Sequence, residues 1–243
     1  MSLGVIDLDM KATGGADAHK RAAGESAANA VTDGDVVGLG TGSTAAHAIR
    51  ALGDAIDSGQ QIRGVPTSYE TRKVAREVGI PLLTLNETVG PDAPGIDVAI
   101  DGADQIADGT LIKGGGAAHT REKVVDTAAA RFLVVADTSK ETDTLDHPVP
   151  IEVLPEARQT VSARLRQLGG NPKVRPAVQK DGPVITEHGN LVVDCTFGQI
   201  DTPESLSRDL TAVPGVFEHG LFVGMVDEVH VGTTDGVRVD RRS

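Results

Sequence analysis

The chain has 243 residues and a formal net charge of −12, from 35 acidic and 23 basic residues. This charge would repel nucleic-acid phosphates, and the chain has no Trp, one Tyr and four Phe for stacking on bases, so we expect no nucleic-acid partner. No apolar run approaches the ~18 residues of a membrane-spanning helix, so we expect no membrane partner. The first 15 residues lack the order of a signal peptide, and Cys195 is the single cysteine, which predicts a cytoplasmic protein with a loose tail over 1–15.

The first part of the chain alternates helices with strands. Helices are predicted over 16–31, 45–56, 68–78 and 117–130, and strands over 35–40, 62–65, 81–85, 96–100, 110–113 and 132–137. The strands are apolar without alternation, which is typical of a parallel sheet that is covered by helices on both faces. The pattern predicts a Rossmann-like α/β fold.

From Pro148 the pattern changes to strand, helix, strand, strand, helix, strand. The predicted strands cover 151–154, 173–178, 191–195 and 217–223, and the predicted helices cover 157–168 and 203–212. This order is the ferredoxin-like α+β arrangement. Strands over 228–232 and 237–239 then predict a hairpin that returns to the first domain. We therefore expect a Rossmann-like catalytic domain over 1–147 and 225–243 and a smaller ferredoxin-like domain over 148–224.

Three isolated residues of the second part suggest no chemistry. Cys195 lies in an apolar strand beside Val193, which predicts a buried structural thiol. Asp194 and Asp201 show no partner in the sequence and resemble ordinary surface charges. The seven histidines show no ligand spacing with cysteines or acids, so no zinc site is predicted.

A glycine-rich turn follows the strand over 35–40. Gly38 and Gly40 fit the dinucleotide fingerprint, but its third position is Ser43, and the next strand ends without an acidic residue. No Gly-Lys-Ser/Thr of a P-loop is present. The hydroxyls and backbone N–H groups at this helix start predict a site for one small phosphate; they belong to Thr41, Gly42, Ser43 and Thr44. A simple helix cap is the alternative, and it explains only one hydroxyl.

The stretch from Asp101 to Lys123 carries most of the predicted chemistry. Two carboxylates follow a buried strand, and a lysine, three glycines and a glutamate follow the next one: Asp101, Gly102, Ala103, Asp104, Lys113, Gly114, Gly115, Gly116 and Glu122. Consecutive glycines let backbone N–H groups turn toward a ligand, and a helix N-terminus adds a positive end. The alternative is a structural turn with surface charges. Lysines are scarce in this chain, and Lys20, Lys113 and Lys140 all lie at or near the predicted cleft, where they supply charge for an anion.

The motifs DGAD, KGGGAA and TREK, in this order and spacing, resemble ribose-5-phosphate isomerase, type A. GLGTGSTAAH, VPGV and GTTDGV extend the resemblance over nearly the whole chain from about Lys20. The resemblance implies an aldose–ketose isomerase that interconverts ribose 5-phosphate and ribulose 5-phosphate through an enediolate. It implies no metal and no organic cofactor, and a homodimer or homotetramer. The chain departs from common members in its long N-terminal tail and in His119, where an apolar residue is usual.

The resemblance also implies a role for each candidate residue. Glu122 would be the base, and Asp101 and Asp104 would hold sugar hydroxyls and help to open the ring. Lys113 and the N–H groups of residues 114–116 would stabilise the enediolate. Residues 41–44 would hold the phosphate with Lys20 and Lys140, and Gly102 and Ala103 would line the substrate site.

Two other classes of function stay open on the sequence. A non-catalytic sugar-phosphate sensor could reuse the glycine-rich turns, although no basic helix-turn-helix segment accompanies them. A nucleotide-dependent enzyme is the other class, and the failed fingerprint weakens it.

The acidic excess predicts salt-dependent stability. Like charges repel over a Debye length of ~30 Å at 0.01 M salt and over only ~3 Å at 1 M. We therefore expect the melting temperature to rise as KCl increases from about 0.01 M into the molar range. A melting temperature that stays flat or falls across that range would contradict salt adaptation.

Overall fold

The computed structural model describes residues 17–242, so the predicted tail over 1–15 lies outside the described residues. The helices are α1 (Asp17–Ala28), α2 (Ser43–Asp57), α3 (Tyr69–Glu77), α4 (Leu85–Thr88), α5 (His119–Ala128), α6 (Arg158–Gln167) and α7 (Pro203–Thr211). The strands are β1 (Val36–Leu39), β2 (Arg63–Pro66), β3 (Val98–Gly102), β4 (Gln105–Ala107), β5 (Thr110–Ile112), β6 (Phe132–Asp137), β7 (Val149–Val153), β8 (Asn171–Val174), β9 (Leu191–Thr196), β10 (Val216–His219), β11 (Leu221–Phe222), β12 (Glu228–Thr233) and β13 (Gly236–Arg241).

A six-stranded sheet in the order β13-β12-β6-β3-β1-β2 forms the centre of the molecule. All of its neighbouring pairs are parallel except β12–β13, the predicted hairpin. Strands β1 and β6 are buried along their whole length because α1 and α2 cover one face and α5 lies on the other. The predicted Rossmann-like α/β class is confirmed.

The second sheet is antiparallel, in the order β10-β7-β9-β8. In chain order it reads strand, helix, strand, strand, helix, strand, as the ferredoxin-like prediction requires. Its core is aliphatic, and Cys195 is a free, fully buried thiol within it, as predicted. The domain division at 147/148 and 224/225 stays a prediction.

A three-stranded sheet, β11-β5-β4, joins the two cores. Neighbouring residues of a strand point to opposite faces. Leu111 and Phe222 therefore join the core of the large sheet, whereas Ile112 and Leu221 join the core of the small sheet. The strand β5 leads directly into Lys113 and the three glycines, so both cores fix the start of that turn.

Three predicted strands were wrong in part. Residues 81–85 pair with the sheet only around Leu82, because a capping box between Thr84 and Glu87 starts α4 at Leu85. The strand predicted over 173–178 ends at Val174, shortly before Pro176. The strand predicted over 217–223 divides at Gly220, where an added Cβ would lie 2.1 Å from the Lys113 carbonyl oxygen, and its two halves enter different sheets.

Candidate active site

A cavity of about 640 Å³ opens at the carboxyl ends of β1 and β3, where open α/β sheets place their ligands. The glycine turn, defined here as residues 114–117, forms another wall, and the start of α5 lies behind it. Every candidate residue from the sequence lines this cavity except Asp101: Lys20, Thr41, Gly42, Ser43, Thr44, Gly102, Ala103, Asp104, Lys113, Gly114, Gly115, Gly116, Glu122 and Lys140.

A buried ammonium group holds the inner wall together. Lys113 Nζ lies 2.8 Å from Asp101 Oδ2 and 3.3 Å from Glu122 Oε2, and it donates a hydrogen bond of 2.6 Å to the carbonyl of Gly102. Asp101 is fully buried, and Lys113 and Glu122 are 2 % and 4 % exposed. Strand β3, the residue that follows β5 and helix α5 therefore each contribute one charged side chain to a single buried ion cluster.

A third carboxyl group, Asp126, belongs to the same cluster. It lies one helical turn after Glu122 on α5 and is 3 % exposed. Within residues 17–242 neither of its oxygens has a hydrogen-bond partner. Burial first, and then the charges of Asp101 and Glu122, raise the pKa of Asp126 well above its ordinary value. Asp126 therefore holds its proton more tightly than an ordinary aspartate does.

Burial controls the protonation of the other members. Burial would lower the pKa of Lys113, but the carboxylates of Asp101, Glu122 and Asp126 outweigh it and raise that pKa, so the ammonium stays charged. Burial raises the pKa of Glu122 to about 8 against the pull of Lys113, and Asp101 and Asp104 add to the rise. A carboxylate with a pKa near neutrality accepts a proton far more readily than an ordinary glutamate.

Asp101 does not line the cavity, and its contact with sugar hydroxyls stays a prediction. Its side chain faces Lys113 rather than the cavity, and the N–H groups of Thr41 and Gly102 donate to its Oδ1 at 2.9 and 2.6 Å. An added Cβ on Gly40 would lie 2.2 Å from the same oxygen, so the β1 backbone closes over it. Asp101 can orient Lys113 and the β1 turn, whereas Asp104 alone of the two aspartates reaches the cavity wall.

The glycine turn is shaped by its neighbours. Gly114 has φ +106°, and an added Cβ there would lie 2.8 Å from His119 Nδ1, so the buried His119 ring takes the space of a side chain. Burial lowers the pKa of His119 to about 4, so the ring is neutral. The N–H of Gly115 donates to Asp104 Oδ2 at 2.7 Å, which fixes that carboxylate toward the cavity.

The N-terminus of α2 is open toward the cavity. Gly42 occupies the N-cap position with φ +124° and no side chain caps the helix, so the alternative of a Ser/Thr cap is wrong. The first N–H groups of a helix that lacks a cap remain available to an anion. The side chain of Ser43 is exposed and that of Thr44 is buried at this helix start.

Three hydroxyl residues that the sequence analysis missed surround Thr41. Its Oγ1 lies 2.9, 2.8 and 3.2 Å from the hydroxyls of Thr67, Ser68 and Thr71. Thr67 and Thr71 in turn donate to the carbonyls of β1 and its turn. The Thr41 hydroxyl therefore ties the turn after β1 to the turn after β2 at this wall.

Two other missed groups lie at the cavity rim. Arg50 of α2 adds a third cation to Lys20 and Lys140. Glu187, from the segment between β8 and β9, accepts a hydrogen bond of 2.7 Å from the N–H of Tyr69 and lies 3.0 Å from Arg121. A segment of the ferredoxin-like region thus reaches the cavity. No motif in the sequence around Glu187 indicates this contact.

The prediction that Asp194 is an ordinary surface charge was wrong. Its two carboxylate oxygens accept hydrogen bonds of 2.9 and 2.5 Å from the guanidinium of Arg175, and both side chains are largely buried. The two residues meet because β8 and β9 pair antiparallel, with Lys173 opposite Asp194.

Over residues 17–242 no group of three or more His, Cys, Asp or Glu side chains is arranged to hold a metal ion. None of the helices within that range has both the length and the apolar character that crossing a membrane would require.

Comparison with known proteins gives one consistent result. Residues 63–236 match the family model of ribose 5-phosphate isomerase A (phosphoriboisomerase A). The chain is 64 % identical over 240 residues to the ribose-5-phosphate isomerase A of the halophile Halorubrum lacusprofundi, an alignment that covers 96 % of this chain and 100 % of that protein.

Solved structures agree with this result. The ribose 5-phosphate isomerase A of Methanocaldococcus jannaschii is 41 % identical, with a TM-score of 0.87 and coverage of 92 % of this chain and 98 % of that one. A D-ribose-5-phosphate isomerase in complex with phospho-erythronic acid is 40 % identical, with a TM-score of 0.89 and coverage of 94 % and 100 %.

The raised pKa of Glu122 predicts the pH dependence of any reaction in which this residue is the base. The base must be ionised, so kcat/KM should fall roughly tenfold per pH unit as the pH drops below about 8. A pH–rate profile between about pH 5.5 and 9.5 measures the midpoint of this fall. If kcat/KM instead stays constant as the pH falls to the pKa of an ordinary glutamate, burial does not raise the pKa of the base.

Proposed function

We propose a role for each residue of the cavity on the premise that this chain belongs to the ribose 5-phosphate isomerase A family. The chain is an aldose–ketose isomerase that interconverts D-ribose 5-phosphate and D-ribulose 5-phosphate, and the family supports this over the alternative of a non-catalytic sensor. The observation that carries the proposed roles is the buried pair of Lys113 and Glu122, 3.3 Å apart at the wall of a cavity that also holds an open helix N-terminus.

Glu122 is the base in this proposal. It takes the proton from C2 of the open-chain aldose, and the electrons of that C–H bond form the C1–C2 double bond while O1 becomes negative. Glu122 then returns the proton to C1 as the hydroxyl proton of O2 moves to O1, which leaves the ketose. The pKa of about 8 suits both steps, since the same group must accept and donate a proton.

Lys113 and the glycine turn stabilise the negative oxygen of the enediolate. The ammonium is buried and charged, and a charge in a site that excludes water interacts strongly with a developing oxyanion. The N–H groups of the turn add donors on the cavity side. Asp104, fixed by the N–H of Gly115, accepts hydrogen bonds from sugar hydroxyls and assists ring opening.

The phosphate lies at the N-terminus of α2 in this proposal. The free N–H groups at Ser43 and Thr44 and the positive end of the helix favour a dianion. Lys20 from α1 and Lys140, which follows β6, line the same cavity and supply charge. The reacting carbons then face Glu122, because the phosphate site and the base lie on different walls.

A homodimer or homotetramer that works in the cytoplasm is part of the same proposal. It rests on the family resemblance and on the single buried cysteine, which suits a reducing compartment. Light scattering on the purified chain measures the oligomeric state directly.

An isomerisation assay without added cofactor or metal ion tests the function. Purified protein should interconvert the two pentose phosphates with no added cofactor and at an unchanged rate in excess chelator, because an ammonium and backbone N–H groups replace a Lewis acid in the proposed mechanism. Loss of activity with chelator that a divalent ion restores would overturn the metal-free mechanism. Absence of isomerisation under all conditions would overturn the function.

Glu122→Gln separates the base from a structural role. The substitution keeps size and polarity but removes the base, so kcat should fall at least ~10²-fold while KM changes little. Lys140→Ala is the comparison, since loss of a phosphate contact should raise KM more than it lowers kcat.

The same variant has an expected stability signature. The folded-state pKa of Glu122 is raised, so its contribution to stability is complete below the unfolded-state pKa and is lost as the pH rises through about 8. The melting temperature of Glu122→Gln, relative to that of the parent, should therefore rise as the pH increases through about 8. A folded Gln variant with near-parental kcat would reject Glu122 as the base.

A further inference from the structure

The ferredoxin-like sheet sends one guanidinium group to the back of the glycine turn. Arg175 follows β8 directly, and its Nη1 donates hydrogen bonds of 3.0 and 3.1 Å to the carbonyls of Gly114 and Gly115. Arg175 is 8 % exposed and does not line the cavity. The contact thus reaches the catalytic wall from the side that the substrate cannot touch.

Asp194 holds this guanidinium in one orientation. Nε and Nη2 donate to its two carboxylate oxygens, in the bidentate geometry that planar guanidinium groups favour. The N–H of Arg175 also donates to the carbonyl of Val192 at 2.9 Å, which ties the backbone of the residue to β9. One edge of the guanidinium is fixed by Asp194, and the remaining nitrogen can point only at the turn.

The two carbonyls decide where the N–H groups of the turn point. In a trans peptide the C=O of one residue and the N–H of the next point in opposite directions. A carbonyl of Gly114 that faces Arg175 therefore turns the Gly115 N–H away from it, toward Asp104 Oδ2 at 2.7 Å. By the same geometry the Gly115 carbonyl turns the Gly116 N–H toward the cavity side.

Glycine peptides would not keep this orientation unaided. Three consecutive residues without a Cβ have the widest choice of backbone angles, and an added Cβ on Gly116 would meet only Thr41 Cγ2, at 3.6 Å. The turn also contains Ala117 at φ +60°, a conformation that L residues rarely adopt. Within the turn the N–H of Ala117 donates to the Gly114 carbonyl at 2.9 Å. Arg175 adds a contact from outside the turn that reaches the Gly114 and Gly115 carbonyls together.

We propose that Arg175, oriented by Asp194, is a positioning residue that aims the Gly115 and Gly116 N–H groups at Asp104 and at the negative oxygen of the enediolate. The proposal rests on the function proposed above. A cation behind the carbonyls also polarises these peptides, so their N–H groups become stronger donors. Arg175 thereby takes part in the isomerisation without touching the substrate.

Arg175→Met is the decisive substitution, since it keeps an apolar stem and removes all the donors. Loss of one oxyanion donor costs about 10²–10³-fold in kcat, and a misdirected donor costs less, so we expect kcat to fall about 10- to 100-fold with KM nearly unchanged. Affinity for phospho-erythronic acid, whose carboxylate resembles the enediolate, should fall by the same factor as kcat/KM. Affinity for inorganic phosphate should stay at the parental value, because α2 and its lysines are untouched.

Matched variants distinguish positioning from general loss of structure. Arg208→Met removes an exposed arginine of α7 and should leave all three measurements at parental values. Arg175→Lys keeps the charge but cannot serve Asp194 and both carbonyls together, so kcat should be intermediate. If Arg175→Met does not fold, the same three measurements are made on Arg175→Lys and Asp194→Asn instead.

Parental kcat and parental affinity for phospho-erythronic acid in any folded Arg175 variant would overturn the proposal. A parallel loss of phosphate affinity would also overturn it, because it would indicate general damage to the site. A parent enzyme without isomerase activity would instead reject the proposed function, so the two failures are distinguishable.

Discussion

The burial of the Lys113 ammonium among Asp101, Glu122 and Asp126 is the interaction on which the site depends. Removing one partner from a buried ion pair typically costs about 3–5 kcal/mol, because the remaining charge is left uncompensated. The cluster also needs β3, β5 and α5 in one register, and the two hydrophobic cores that meet at β5 supply it. The packing of the two sheets therefore also sets the geometry of the ion cluster. The raised pKa of Asp126 follows from the same crowding, because the negative charges of Asp101 and Glu122 oppose its ionisation.

The sequence predicts those features that depend on neighbouring residues. Strand and helix order, the parallel sheet and the ferredoxin-like order follow from local apolar patterns, and the glycine turns follow from short motifs. Fourteen of the fifteen candidate residues line one cavity, because the carboxyl ends of parallel strands meet at one edge. Short elements were harder to predict from the sequence, because β4 has only three residues and α4 depends on the capping box of Thr84.

Contacts between distant segments could not be predicted in this way. Asp101 and Asp104 are equivalent in the motif DGAD, and only the fold shows that the first faces Lys113 and the second the cavity. The hydroxyls around Thr41 come from the turn after β2 and from α3, and Arg175, the partner of Asp194, follows the neighbouring strand β8. Each of these pairs depends on strand register and side-chain direction, which a single sequence does not specify.

The acidic surface and the anionic substrate place opposite demands on this chain. A net charge of −12 repels a phosphate at long range, and only salt reduces that repulsion, with a Debye length of ~3 Å at 1 M. The same salt would lower the affinity of a site that binds its anionic ligand through exposed cations. The groups at the centre of this cavity are of another kind: a buried ammonium, helix N–H groups and a glycine turn fixed from behind. Salt screens buried and partly buried charges much less than exposed ones, so contacts of this kind lose less affinity in concentrated salt. An enzyme with an acidic surface can therefore bind a dianion because its strongest contacts are short, buried and partly backbone.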